Sequence, residues 1–139
     1  MGKSLKFHEL SSVIRIKYDK LYIRGDSMDD KIVIIWTTQE KGTALNMVMM
    51  YAKNAMIRGW WKQVELVIWG ASVTLFLEDE EIRNELKECQ KVGVNIRACI
   101  ACARRYNAVD LLQEFGIEVL SYGTILTQYL KDNQKMITI

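Results

Sequence analysis

Apolar and polar positions change period several times along this chain, and each change marks an element. "KIVIIW" (31–36) is a short, continuous apolar run rich in β-branched residues, which predicts a buried strand ending at Thr37-Thr38. "TALNMVMMYAKNAMIRG" (43–59) places Ala, Leu and Met at helical spacing and stops at Gly59, with Arg58 in the last turn. "VELVIW" (64–69) predicts a second strand, closed by Gly70. Residues 71–78, "ASVTLFLE", fit either an early helical turn or an extra strand, and the helical turn is favoured.

Residues 79–92 read as a helix. Asp79, Glu80 and Glu81 load its first turn, where the dipole favours anions, and Ile82, Leu86 and Cys89 form its inward face before Gly93. "VNIRA" (94–98) is a third strand. "CARRYNAVDLLQEFG" (102–116) predicts one helix with Val109, Leu112 and Phe115 inward. "IEVLSYG" (117–123) is a fourth strand, "TILTQYLKDN" (124–133) a short helix and "KMITI" (135–139) a last strand. Strands alternating with helices in this way predict an α/β fold: three layers, α/β/α, around a mostly parallel five-stranded sheet. Ile34, Val67, Ile96 and Val119 are expected in its core.

Residues 1–27 stand apart as an N-terminal extension to a domain spanning 28–139. "VIRIKYDKLYIRG" alternates on both sides of Asp19-Lys20, as a hairpin or edge ribbon would. The extension holds six basic and three acidic side chains, whereas residues 28–139 hold thirteen basic and fourteen acidic. A near-neutral body argues against nucleic acid as a partner, because duplex binding rests on a basic face. The sequence shows neither an apolar run long enough to span a membrane nor a signal peptide, so the expected location is the cytoplasm. Thiols there stay reduced, and a Cys-x-x-Cys pair is then read first as catalytic or metal-binding.

Ligands of open parallel sheets bind outside the carboxyl ends of the strands. The residues expected there are Trp36, Thr37 and Thr38, then Trp69, Gly70, Ala71 and Ser72, then Ala98 and Cys99, then Tyr122, Gly123 and Thr124. Cys99 and Cys102, in "NIRACIACAR", are thus the candidate chemistry, with Trp36, Thr37, Thr38, Trp69, Gly70, Gly123 and Thr124 as candidate pocket lining. A cysteine at a strand-to-helix junction meets free N–H groups that favour its thiolate. Arg104 and Arg105 add positive charge nearby, and Cys102 lies within reach as a second thiol. Each also admits a packing role: Cys99 as a small residue at a strand end, Cys102 against a helix, Trp36 and Trp69 as core. Cys89 reads as core. His8, the single histidine, lies in the extension.

Neither metal nor cofactor is expected. A structural zinc site draws about four ligands, usually from two clusters, and one Cys-x-x-Cys stands without a second pair. No GxGxxG or Walker loop follows the first strand.

"VIIWTT", "VIWGASV", "VGVNIRACIACA" and "FGIEVLSYGTILTQYLKDNQKMITI" together resemble the DsrE/DsrF-like family of small α/β proteins, several of which are sulfur carriers. The resemblance covers 31–139. It implies a parallel-sheet fold and homo-oligomers, often trimers or hexamers. In the sulfur-relay members it implies that a cysteine at the position of Cys99 carries sulfur as a persulfide, with a donor or acceptor protein as partner. Cys102 departs from a single-cysteine carrier and leaves dithiol redox chemistry open. Thioredoxin-like enzymes set a cis-proline against their cysteine pair, and this chain has no proline. A non-catalytic oligomeric scaffold is the third reading.

Overall fold

A computed structural model describes residues 30–139. The ribbon expected near Asp19-Lys20 and His8 lie outside the described residues. Element order follows the alternation of apolar periods. β1 (Lys31–Trp36) leads into one continuous helical segment made of α1 (Lys41–Thr43), a π-helical stretch (Ala44–Met49) and α2 (Met50–Ile57). Then come β2 (Gln63–Ile68), α3 (Ser72–Glu78), α4 (Glu80–Lys91), β3 (Asn95–Cys99), α5 (Ile100–Arg105) and α6 (Val109–Glu114). β4 (Glu118–Leu120), α7 (Tyr122–Lys131) and β5 (Met136–Thr138) complete the fold.

The five strands form one parallel sheet in the order β4-β3-β2-β1-β5. Handedness then decides which face each helix covers. From β1 through β4 the chain steps across the sheet in one direction, and right-handed crossovers keep every intervening helix on one face. The last crossover runs back from β4 to the far side of β1, so α7 falls on the opposite face. Alternation along the strands separates the two cores accordingly. Ile32, Ile34, Trp36, Leu66 and Ile68 pack with the helices from α1 to α6, while Val33, Ile35, Val67 and Cys99 pack under Tyr122 and its neighbours on α7.

The expected core holds for Ile34, Val67 and Ile96, which are buried. Val119 is only half-buried, because β4 is a three-residue edge strand with a neighbour on one side. Residues 102–116 are two short helices instead of one. Asn107, at φ 54°, breaks them, and Ala103 O accepts from Ala108 N at 2.8 Å across the break. The fourth strand ends at Leu120, so Tyr122 opens α7 where a strand end was expected. α4 starts as its acids suggest: Asp79 caps Ile82 N at 3.1 Å, and Lys41 bridges Asp79 and Glu81 at 2.8 and 2.7 Å. Gly93 ends it at φ 100°, where a Cβ would meet Met56 Cε at 3.1 Å. Four consecutive apolar residues in the first helical segment cannot all face the sheet. Val48 and Met49 are buried, whereas Met47 and Met50 are 44% and 50% exposed.

Candidate functional site

β3 and β4 are neighbours, with Cys99 and Leu120 as register partners at their carboxyl ends. Beyond that pair the chain parts. β3 continues into α5 on the first face and β4 into α7 on the second. Such a divergence opens a crevice between adjacent strands, and it is where ligands enter open parallel sheets. Cys99 therefore sits at the topological switch point of the fold.

Cys99 is the N-cap of α5, with extended backbone (φ −75°, ψ 124°). α5 has six residues, so it offers free first-turn N–H groups but little macrodipole. The Cys99 side chain turns to the second face and is 5% exposed, enclosed with Val67 and Tyr122. Cys102, one turn on, is the half-exposed thiol of the pair. Its Sγ accepts a hydrogen bond from Gly70 N at 3.2 Å, which Gly70 can aim because it adopts φ 69°. The two thiols lie within hydrogen-bonding reach of each other. Burial pushes the Cys102 thiol pKa up, Gly70 N–H pulls against it, and Cys99 pushes it up further; Arg105 acts downward. Cys89, far from this pair on α4, is fully buried; its thiol faces Met49 O at 3.6 Å, and burial pushes its pKa up to about 12.

The candidate lining residues divide. Thr37 and Trp69 line an apolar cavity of about 460 Å³ together with Ile35, Leu126, Leu130 and Met136. Trp69 also packs on the cluster that holds Cys99, edge-on at 5.7 Å to Tyr122, so it joins the cavity to the cysteine cluster. Gly70 reaches the pair through its N–H. Trp36 is fully enclosed in the first-face core, its Nε1 donating to Thr38 O at 2.9 Å. Thr38 receives Glu40 N on its hydroxyl. Gly123 and Thr124 lie exposed in the first turn of α7, away from the cavity wall. Ser72, named at this edge, is buried and ties β1 to β2 by donating to Trp36 O and Trp69 O at 2.6 and 3.0 Å.

Beside the cysteines stands a charged cluster that sequence reasoning passed over. Glu65 is buried in the middle of β2. The Tyr122 hydroxyl donates to its Oε1, and the Tyr129 hydroxyl to its Oε2 at 3.0 Å. Lys31 Nζ pairs with the same Oε2 at 2.6 Å and donates to the Tyr129 hydroxyl at 2.8 Å. Arg97 stands 3.6 Å from Oε1 and 3.1 Å from Glu118. Burial alone would raise the Glu65 pKa, but Lys31 and Tyr122 outweigh it, and the carboxyl lies below its usual range. Burial and then Glu65 hold the Tyr122 hydroxyl well above the usual phenol range. The signal was present: a lone carboxylate inside the apolar run "VELVIW" needs partners, and two tyrosines seven apart on a helix can supply them.

No helix among the described residues is long and apolar enough to cross a membrane. The family model described as the DsrE/DsrF-like family matches residues 30–139. Among solved structures, the chain is similar to a conserved protein of unknown function from Bacteroides thetaiotaomicron. The identity is 40%, covering 81% of this chain and 97% of that one, with a TM-score of 0.79. No curated protein matches the chain.

Proposed function

The chain belongs to the DsrE/DsrF-like family, which suggests a sulfur-relay-type role, and from that premise we propose that Cys99 accepts and passes sulfane sulfur as a persulfide. The observation that carries the reading is the place of Cys99 at the switch point, paired with Leu120 where the two connections diverge.

In the first step the Cys99 thiolate attacks the outer sulfur of a donor persulfide. A Cys99 S–S bond forms, the donor S–S bond breaks, and the donor leaves as a thiolate. In the second step an acceptor thiolate attacks the outer sulfur on Cys99, and the Cys99 thiolate is restored. Neither step changes the net redox state.

The closeness of Cys102 supports a second reading, in which the pair does dithiol chemistry. The Cys102 thiolate attacks the inner sulfur of the Cys99 persulfide, a Cys99–Cys102 disulfide forms, and hydrosulfide leaves. A dithiol reductant must then reset the pair. A homo-oligomer, trimer or hexamer, accompanies either reading. Its support is the exposed apolar surface at Met47, Met50, Ile57 and Trp60, and at Leu130 and Ile137.

Intact-mass measurement after incubation with a small persulfide donor tests the proposal. Wild type should gain the mass of one sulfur atom, and Cys99→Ser should gain none. Equal loading of both proteins refutes the role given to Cys99. Light scattering should give a mass several times that of one chain, and a monomer at micromolar concentration refutes the assembly.

A further inference from the structure

We infer that Tyr122 is a positioning residue that closes the crevice over Cys99, and that Glu65 is the latch that keeps it closed. The inference rests on the sulfur-handling reading of Cys99, and it addresses a difficulty that reading creates. A thiol that is 5% exposed has no room for a donor. Something over it has to move.

Tyr122 is the group in place to move. It is fully buried, belongs to the same apolar cluster as Cys99, and follows by two residues the Leu120 that pairs with Cys99. Its ring also meets Trp69, which walls the 460 Å³ cavity, edge-on at 5.7 Å, so Cys99, Tyr122 and that wall belong to one packed cluster. Displacing Tyr122 would uncover Cys99 from the cavity side.

The attachment of α7 is uneven along its length. Tyr129, near its carboxyl end, is held twice, by Glu65 at 3.0 Å and by Lys31 at 2.8 Å. Tyr122, at its amino end, is held by one hydrogen bond, from its hydroxyl to Glu65 Oε1, and by its buried ring, which meets Trp69 and Tyr129 at 5.7 and 6.5 Å. The residues that flank it, Ser121, Gly123 and Thr124, are exposed. Ser121 makes no side-chain capping bond to α7, and the preceding β4 is a three-residue edge strand whose Val119 and Leu120 are half-buried. Gly123 adds backbone freedom at the second helical position, with open space where a Cβ would stand. A segment whose one buried side chain is flanked by exposed residues opens locally at lower cost than the fully packed parts of the fold. The amino end of α7 can therefore lift while Tyr129 keeps the helix on the sheet.

The test is alkylation of the three native thiols with iodoacetamide, read residue by residue by mass spectrometry. Tyr122→Phe keeps the ring and removes the latch, so Cys99 should label about tenfold faster than in wild type. Buried Cys89 should stay slow, which certifies that the fold is intact. Gly123→Ala acts in the opposite direction, because it stiffens the first turn without strain, and Cys99 should label about threefold more slowly. Tyr129→Phe, which leaves the Tyr122 bond in place, should change Cys99 labelling less than Tyr122→Phe does. Should Tyr122→Phe expose Cys89, Gly123→Ala alone decides. An unchanged Cys99 rate in Tyr122→Phe with slow Cys89, or an unchanged or faster rate in Gly123→Ala, overturns the latch. Persulfide loading of the same proteins keeps the two ideas apart. Loading on Cys99 with rates indifferent to Tyr122 and Gly123 sinks the latch alone. Rates that follow the latch without any loading leave the latch standing and sink the sulfur reading.

Discussion

The two faces of the sheet are held by different forces. On the first face Trp36, Ile34, Leu66, Ile68, Phe76 and Leu86 are fully buried, and Phe76 meets Phe115 edge-on at 5.4 Å. That side is closed by apolar contact, which is non-directional and spread over many residues. On the second face α7 covers Val33, Ile35, Val67 and Cys99, and a directional cluster around Glu65 pins it. Dispersed apolar packing resists opening at any single point. A helix held by a few named bonds can open at one of them. The candidate chemistry lies on the second face.

Three substitutions sharpen that contrast. The largest effect belongs to the first face. Phe76→Ala should lower unfolding free energy by about 3–5 kcal/mol in chemical denaturation, because it leaves a cavity in the fully buried first-face core. It should do so without selectively exposing Cys99. A loss below about 1 kcal/mol would contradict the account of that face.

Glu65→Gln comes next, with an expected loss of about 1.5–3 kcal/mol, since it weakens several charge-assisted bonds together. It also carries a pH signature. The Glu65 carboxyl lies below its usual range in the fold. Its stabilisation is therefore complete above the unfolded value of about 4.3 and fades as pH falls through the lower folded value. Lys31 is the mirror case. Burial alone would lower its pKa, but Glu65 and Tyr129 outweigh that and raise it. Its stabilisation is complete below about 10.4 and fades as pH rises beyond the raised value. Denaturation curves at graded pH should show both limbs in wild type and a flattened acid limb in Glu65→Gln. An unchanged acid limb would remove Glu65 from the linkage.

Gly70→Ala should have the smallest effect, about 1 kcal/mol, because φ 69° strains an L side chain although the space for a Cβ is open. Its sharper readout is the thiol it touches. Loosening the N–H bond to Sγ should move the Cys102 alkylation profile to higher pH, since that bond pulls the Cys102 pKa down. A shift to lower pH would contradict the role given to Gly70.

The legible and illegible parts of this molecule follow the same division. Continuous β-branched runs marked β1 and β2, and glycines after helices marked stops at Gly59, Gly93 and Gly116, all of which adopt positive φ. The position of Cys99 at a strand end was legible for the same reason. Its burial was not. Burial of Cys99 depends on which face receives α7, and that depends on strand order, which the sequence pattern leaves open. The break at Asn107 was masked because Cys102, Tyr106, Val109 and Leu112 keep three- and four-residue apolar spacing across it. The π-helical stretch at Ala44–Met49 left no trace in a Met-rich run that suits any helical register. Glu65 went unread because one charged residue in "VELVIW" looked like an ordinary interruption, whereas it organises α7.

The central claim is that sulfur rests on Cys99, the buried member of the pair, and not on the half-exposed Cys102. Peptide-level mapping of the persulfide, after reaction with a small persulfide donor and rapid trapping with an alkylating agent, measures this directly in wild type and in Cys102→Ser. The account predicts the extra sulfur on Cys99 in both proteins, with a longer lifetime in Cys102→Ser because the neighbouring thiol that can displace it as hydrosulfide is gone. Sulfur recovered on Cys102 in wild type, and none on Cys99 in Cys102→Ser, would contradict it.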